Sequence, residues 1–299
     1  MRVGNRTVAL DVQFRERDGV MLYCGQTRVL CLHPKGDDFV ADAHPTYTGQ
    51  ECAAEMLRRW TPADTPSAFG DALQRYLAAL QVGERWVRKE GAVQVRWLGN
   101  DTASLGEPPW LPIDREVVLG HAPKEERQAS LKPDTLERAW EALCNLASVE
   151  GWKAPSAPGA ANEVDQLALS HDGKRLILVE LKHKADGSAA VYAPYQVMRY
   201  VAEWAAALEG PTAGEIGNGV NELARAKYAI GLLKEPPVLV EHPEIQPIVA
   251  FNEPPTKEVQ RRLPKVVQIL RDNLPGPSIE KLEIWCWPDG RPPERLNLS

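Results

Sequence analysis

Residues 163–184, EVDQLALSHDGKRLILVELKHK, constrain the chain more than any other stretch. Two apolar runs flank Asp172-Gly173, a strong signal for a tight hairpin because type I′ turns need positive φ at both central positions. A hairpin centred there pairs Leu169 with Leu176, Leu167 with Leu178, Asp165 with Glu180 and Glu163 with Lys182. Side chains alternate along each strand, so all eight project from one face. That face is apolar near the turn and ends, at the rim, in three carboxylates and one ammonium.

Carboxylates opposed at about 5 Å between Cβ atoms repel unless something positive lies between them. A divalent cation supplies that charge, and hard oxygen donors suit Mg²⁺ or Mn²⁺ rather than zinc. Lys182 would then stand beside the ion as a point charge for a phosphate or an attacking water. A Glu/Lys pair at a strand end is also ordinary solvated decoration, so the flanking helices have to weigh in.

DTLERAWEALCNLASVEG (134–151) reads as a helix with Asp134 as N-cap after Pro133 and with Leu136, Trp140, Leu143 and Ala147 on one face. APYQVMRYVAEWAAALEG (193–210) reads as another, with Pro194 in its first turn and Gly210 beyond its end. Val197, Val201, Trp204 and Leu208 form its core stripe. Gln196 and Tyr200 lie beside that stripe, one helical turn apart, on the side where the hairpin should be. A helix NELARAKYAIGLL, a strand IQPIVAFN, a Pro-interrupted basic helix TKEVQRRLPKVVQILRD and a last strand KLEIWCW complete this half.

A helix bearing Glu, an Asp opening a strand, E-x-K closing the next, and a helix with Gln and Tyr four apart resemble the PD-(D/E)XK nuclease superfamily, in its Holliday-junction-resolvase-like branch. The similarity spans roughly residues 133–252, and Val164 stands where the family's nominal Pro would be. The resemblance implies an α/β fold with a restriction-endonuclease-like α-β-β-β-α-β core. It also implies Mg²⁺, or Mn²⁺ in its place, held by Asp165, Glu180 and the backbone carbonyl of Leu181, with Glu141 joining directly or through water. Glu137 shares a helix face with Glu141; the spacing of Glu141 to Gly151-Trp152, where a strand is expected, favours Glu141. Lys182 would orient the nucleophile or steady the transition state, supported by Gln196 and Tyr200. The implied activity is hydrolysis of phosphodiester bonds in nucleic acid, DNA ahead of RNA. The rival is a nuclease-fold module that binds nucleic acid or a partner protein without cutting.

The chain of 299 residues is long for one domain. The net charge of −6 gives no global signal for nucleic-acid binding. Contact would therefore need a local patch: Lys182, His183, Lys184 and Arg199 lie near the hairpin, whereas the basic stretch KEVQRRLPK reads first as a solvated face. The five cysteines form no C-x-x-C and the six histidines no ligand spacing, so neither a disulfide framework nor a zinc site is expected. No signal-peptide core and no membrane-spanning run is visible, which points to the cytoplasm and away from membranes.

Residues 1–125 are expected to form an α+β accessory domain with a Pro-rich connection, and 126–299 the nuclease-like domain. TVALDVQFRE and GVMLYCGQTRVLCL read as antiparallel strands, TGQECAAEMLRRW and SAFGDALQRYLAALQ as helices, and GAVQVRWLG as a further strand. A homodimer contact or a partner protein would engage this domain. Walker, G-x-S-x-G and G-x-G-x-x-G motifs are absent, and Gly217-Asn218-Gly219 follows no clear strand.

Overall fold

The computed structural model describes residues 2–3, 6–7, 10–15, 19–87, 90–98, 108–117, 119, 133–157, 163–233, 235–274, 276–288 and 291–297. The protein is mixed α/β and divides into two compact units, Met1–Ala103 and Ser104–Ser299.

In the first unit, β1 (Arg2–Val3) and β2 (Arg6–Thr7) pair as a short ribbon. A five-stranded antiparallel sheet follows in chain order: β3 (Leu10–Arg15), β4 (Gly19–Cys24), β5 (Thr27–Lys35), β6 (Asp38–Asp42) and β7 (Arg59–Trp60). Its helices are α1 (Pro45–Thr48), α2 (Ala53–Met56), α3 (Pro66–Ala79) and α4 (Glu90–Trp97). Leu30, Met56, Trp60 and Tyr76 are central to its core, and the Tyr76 hydroxyl donates to the Val29 carbonyl at 2.8 Å.

Two expectations fail here. The helix foreseen over 48–60 is broken because Cys52 adopts the left-handed conformation, φ 62°, and Arg59 and Trp60 leave to pair with β6. The strand foreseen over 91–99 is α4: Val93 and Trp97, one helical turn apart, are both buried, and a short apolar run does not reveal its period.

The second unit is built on a mixed six-stranded sheet in the order β13-β12-β11-β10-β9-β8. The strands are β8 (Leu111–Val117), β9 (Val164–Leu169), β10 (Arg175–Lys182), β11 (Glu244–Phe251), β12 (Glu283–Cys286) and β13 (Glu294–Arg295). β8, β9 and β10 are antiparallel neighbours, and β11 and β12 run parallel to β10. The helices are α5 (Pro133–Glu150), α6 (Gly187–Val191), α7 (Ala193–Glu209), α8 (Ala213–Ala229), α9 (Lys257–Asn273) and α10 (Pro277–Glu280). α7 lies against β10 and β11, where Leu176, Leu178, Val197, Val201 and Trp204 share one core.

β8 corrects the expected boundary at 125. Residues 111–117 pair with β9, so this part of the Pro-rich stretch is an edge of the sheet and belongs to the second unit. Residues 99–107 and 120–132 of the stretch lie outside the described residues. The strand foreseen at Gly151-Trp152 is absent, since 152–157 carry no regular structure. The place beside β9 is filled from ahead of α5 instead, so the element order departs from α-β-β-β-α-β. Asp134 falls within α5 rather than capping it, and Gly217-Asn218-Gly219 lies inside α8 rather than in a phosphate-cradling loop.

The hairpin has the foreseen register with a different turn. Leu169 pairs with Leu176 and Leu167 with Leu178. Asp172 does not adopt positive φ, so the turn is not type I′; Gly173 alone does, at 70°. Ser170 N donates to Arg175 O at 3.1 Å, Gly173 N to Ser170 O at 3.0 Å, and Lys174 N to the Asp172 carboxylate at 3.1 Å, which closes a four-residue loop. Asp172 is held below the usual carboxylate range chiefly by the Ser170 hydroxyl and the Lys174 N–H. Because two- and four-residue loops centred on one point differ by a whole pleat, the faces of both strands are unchanged.

A side chain at Gly173 would overlap the Val238 carbonyl oxygen. Gly173→Ala is therefore expected to destabilise the second unit by more than the roughly 1–2 kcal/mol cost of a left-handed non-glycine residue. Lys174→Ala, at an exposed side chain, should stay within about 0.5 kcal/mol. Denaturant midpoints measure both.

Candidate functional site

The rim of the β9–β10 hairpin gathers six of the residues singled out in the sequence. Asp165 Oδ2 accepts a hydrogen bond from the backbone N–H of Leu181 at 2.7 Å, which ties the carboxylate to the neighbouring strand. Glu180 is fully buried, and its Oε1 is paired with the Lys182 ammonium. Lys182 also donates to Gln196 Oε1 at 3.3 Å, and Gln196 Nε2 donates to the Tyr200 hydroxyl at 3.1 Å. Pleat and helix periodicity meet here: residues 180 and 182 share a face of β10, and residues 196 and 200 share the face of α7 that lies on it.

Burial is the first cause of the site's electrostatics. It pushes the Asp165 carboxyl well above its ordinary range, and the Glu180 charge pushes it further. Glu180 is also raised by burial, although Lys182, Tyr200 and Asp165 each ease its ionisation. The Tyr200 phenol is driven upward by burial and by the two carboxylates, so it stays a neutral donor. Both carboxyls are thus harder to ionise than in water, and the Lys182 ammonium lies against Glu180.

Glu180 Oε2 is buried, and besides Lys182 the groups against this carboxylate are the Tyr200 hydroxyl and the Asp165 carboxyl. A carboxylate out of water is costly, and a cation offsets that cost as well as an N–H does. The donors beside it are all hard: Asp165, Glu180 and the Leu181 carbonyl. Leu181 N points at β9, and in a strand the N–H and C=O of one residue leave on the same side. The residues present therefore fit a small divalent cation bound through oxygen.

Other candidates are not brought in. Glu163 precedes β9 and is exposed, so it does not stand opposite Lys182. Glu141 and Glu137 are both exposed on α5. The charge of Glu141 acts on Cys144 and that of Glu137 on Tyr195, and among the described residues no hydrogen bond or ion pair joins either to Asp165 or Glu180. On α9, Lys265 and Arg261 pair with Glu150, Arg262 pairs with Glu258, and the Arg262 guanidinium stacks 4.6 Å over Trp152. The basic helix is thus largely neutralised by its own neighbours.

A second cluster, Cys31, His33 and Asp42, was missed by sequence reasoning. Cys-x-His is no ligand spacing on a helix or loop, and only the pairing of β5 with β6 brings Asp42 opposite Cys31.

The raised carboxyls set a pH dependence. Native protein holds protons that the unfolded chain has released, so stability falls as pH rises from about 4 through the raised native values. Asp165→Asn keeps an acceptor for Leu181 N and removes one charge. Without divalent metal it should be more stable than the wild type at pH 7.5 by roughly 1–3 kcal/mol. The difference should shrink towards pH 4, as thermal unfolding across that range would show.

No protein-family model matches this chain, and no curated protein or solved structure matches it either.

Proposed function

We propose that the second unit is a metal-dependent nuclease that hydrolyses phosphodiester bonds, with DNA as the first substrate to test. The observation that carries this reading is the juxtaposition of Asp165, Glu180 and Lys182 at one strand rim, with the Glu180 carboxylate fully buried. The resemblance noted in the sequence leads to the same chemistry. On this reading the antiparallel β8-β9-β10 triplet with parallel β11 serves as a restriction-endonuclease-like core, its outer strand drawn from ahead of α5.

Asp165, Glu180 and the Leu181 carbonyl would hold Mg²⁺ or Mn²⁺. A bound ion of this kind lowers the pKa of its water and neutralises charge building on a phosphate. Lys182, whose ammonium pairs with Glu180 and Gln196, would present its remaining N–H to a substrate oxygen. Gln196 holds Lys182 in place, and Tyr200 holds Gln196. Glu141 has no part in this arrangement.

Purified protein should cut at least one of plasmid, linear, single-stranded or branched DNA, or RNA, when Mg²⁺ or Mn²⁺ is present. Asp165→Ala and Lys182→Ala should each lose at least about 100-fold, and Gln196→Ala about 10-fold. Mg²⁺ should raise the melting temperature of the wild type and leave that of Asp165→Asn unmoved. Variants that cut as well as the wild type, or cutting in excess chelator, would defeat the proposal. A melting shift without turnover on any substrate would instead identify a binding module.

A further inference from the structure

We infer that the first unit carries a separate site for a thiophilic divalent ion of the zinc type, formed by Cys31, His33 and Asp42. Cys31 and His33 are two apart on β5 and share a face, while Leu30 and Leu32 turn to the core on the other. The β5–β6 ladder sets Asp42 directly opposite Cys31. Three donor atoms, one from each residue, lie within 4.8 Å of one another.

The detail favours a metal over a plain ion pair. Cys31 Sγ and His33 Nδ1 are 3.9 Å apart, close to the roughly 3.5 Å that separates sulfur and nitrogen on one tetrahedral zinc. His33 Nε2 is 2.9 Å from Asp42 Oδ2. That contact pairs Asp42 with the ring nitrogen away from the sulfur, so ligation of one ion by all three side chains requires Asp42 to exchange this bond for the metal. Asp42 Oδ1 is shielded from water and makes no hydrogen bond among the described residues; its nearest cation is the Arg28 guanidinium at 3.8 Å. An oxygen in that position has a donor set to join.

The choice of ion follows from the donors. Thiolate with imidazole selects zinc-like ions and disfavours Mg²⁺, so this site and the Asp165–Glu180 site take different metals. The His33 and Asp42 side chains are 33% and 45% exposed, which leaves the fourth position of a tetrahedron open to water or a small anion. Bound metal would pin β5 to β6, and this inference does not depend on the nuclease reading.

Cobalt is the probe, because a cobalt–thiolate bond gives a near-ultraviolet charge-transfer band. The full chain carrying Asp165→Asn and Glu180→Gln, stripped with chelator, removes the competing oxygen site. One Co²⁺ per chain should bind at micromolar concentration with that band, and Zn²⁺ should displace it. Cys31→Ser should abolish the band, and His33→Ala and Asp42→Asn should each weaken binding at least tenfold. If Cys31→Ser does not fold, the more exposed His33→Ala decides. No band in the parent protein, or a band unchanged by His33→Ala, overturns the inference.

Discussion

Two carboxylates removed from water side by side are the constraint around which the second unit is arranged. Each charge alone is expensive to bury, and together they repel. The fold offsets the expense with one ammonium from Lys182, one backbone N–H from Leu181 and the neutral Gln196–Tyr200 pair above them. These contacts do not neutralise the pair. An acidic pair held this way costs stability, and the proposed metal site rests on that cost.

Placement of that pair depends on backbone parity. Asp165 meets Glu180 because the two strands are joined by an even number of residues about one centre, and any single-residue slip would send one carboxylate to the opposite face. The loop hydrogen bonds of Ser170 and Asp172 and the left-handed Gly173 hold that count. The side chains that meet at the rim are thus specified by a turn at the far end of the strands.

This explains which parts of the molecule were legible in the sequence. The juxtaposition of Asp165, Glu180 and Lys182 was legible because they sit on a local hairpin with a strong turn signal, and that of Gln196 with Tyr200 because helix spacing is local too. The turn type was misread, since Asp-Gly also suits longer loops, but the strand faces survived the error. Glu163 and Glu141 stand exposed, with no described bond to that rim: a residue beyond a strand end, or on a solvated helix face, has nothing to fix its direction. β8 was hidden by Pro112 within it and by a partner about fifty residues away. The Cys31–His33–Asp42 cluster was hidden because its third member arrives through strand pairing that no spacing rule encodes.

The contact of Gly173 with the segment around Val238 has a kinetic consequence. Gly173 O accepts from Val240 N and Lys174 O from Glu244 N, so β11 is seated on the finished turn before its ladder with β10 begins. The hairpin closes a short loop and can assemble early, whereas β11 must return from far along the chain at a greater entropic cost. A turn completed early in synthesis thus offers the later strand a docking edge already in register, shortening the time for which that edge is open to wrong partners.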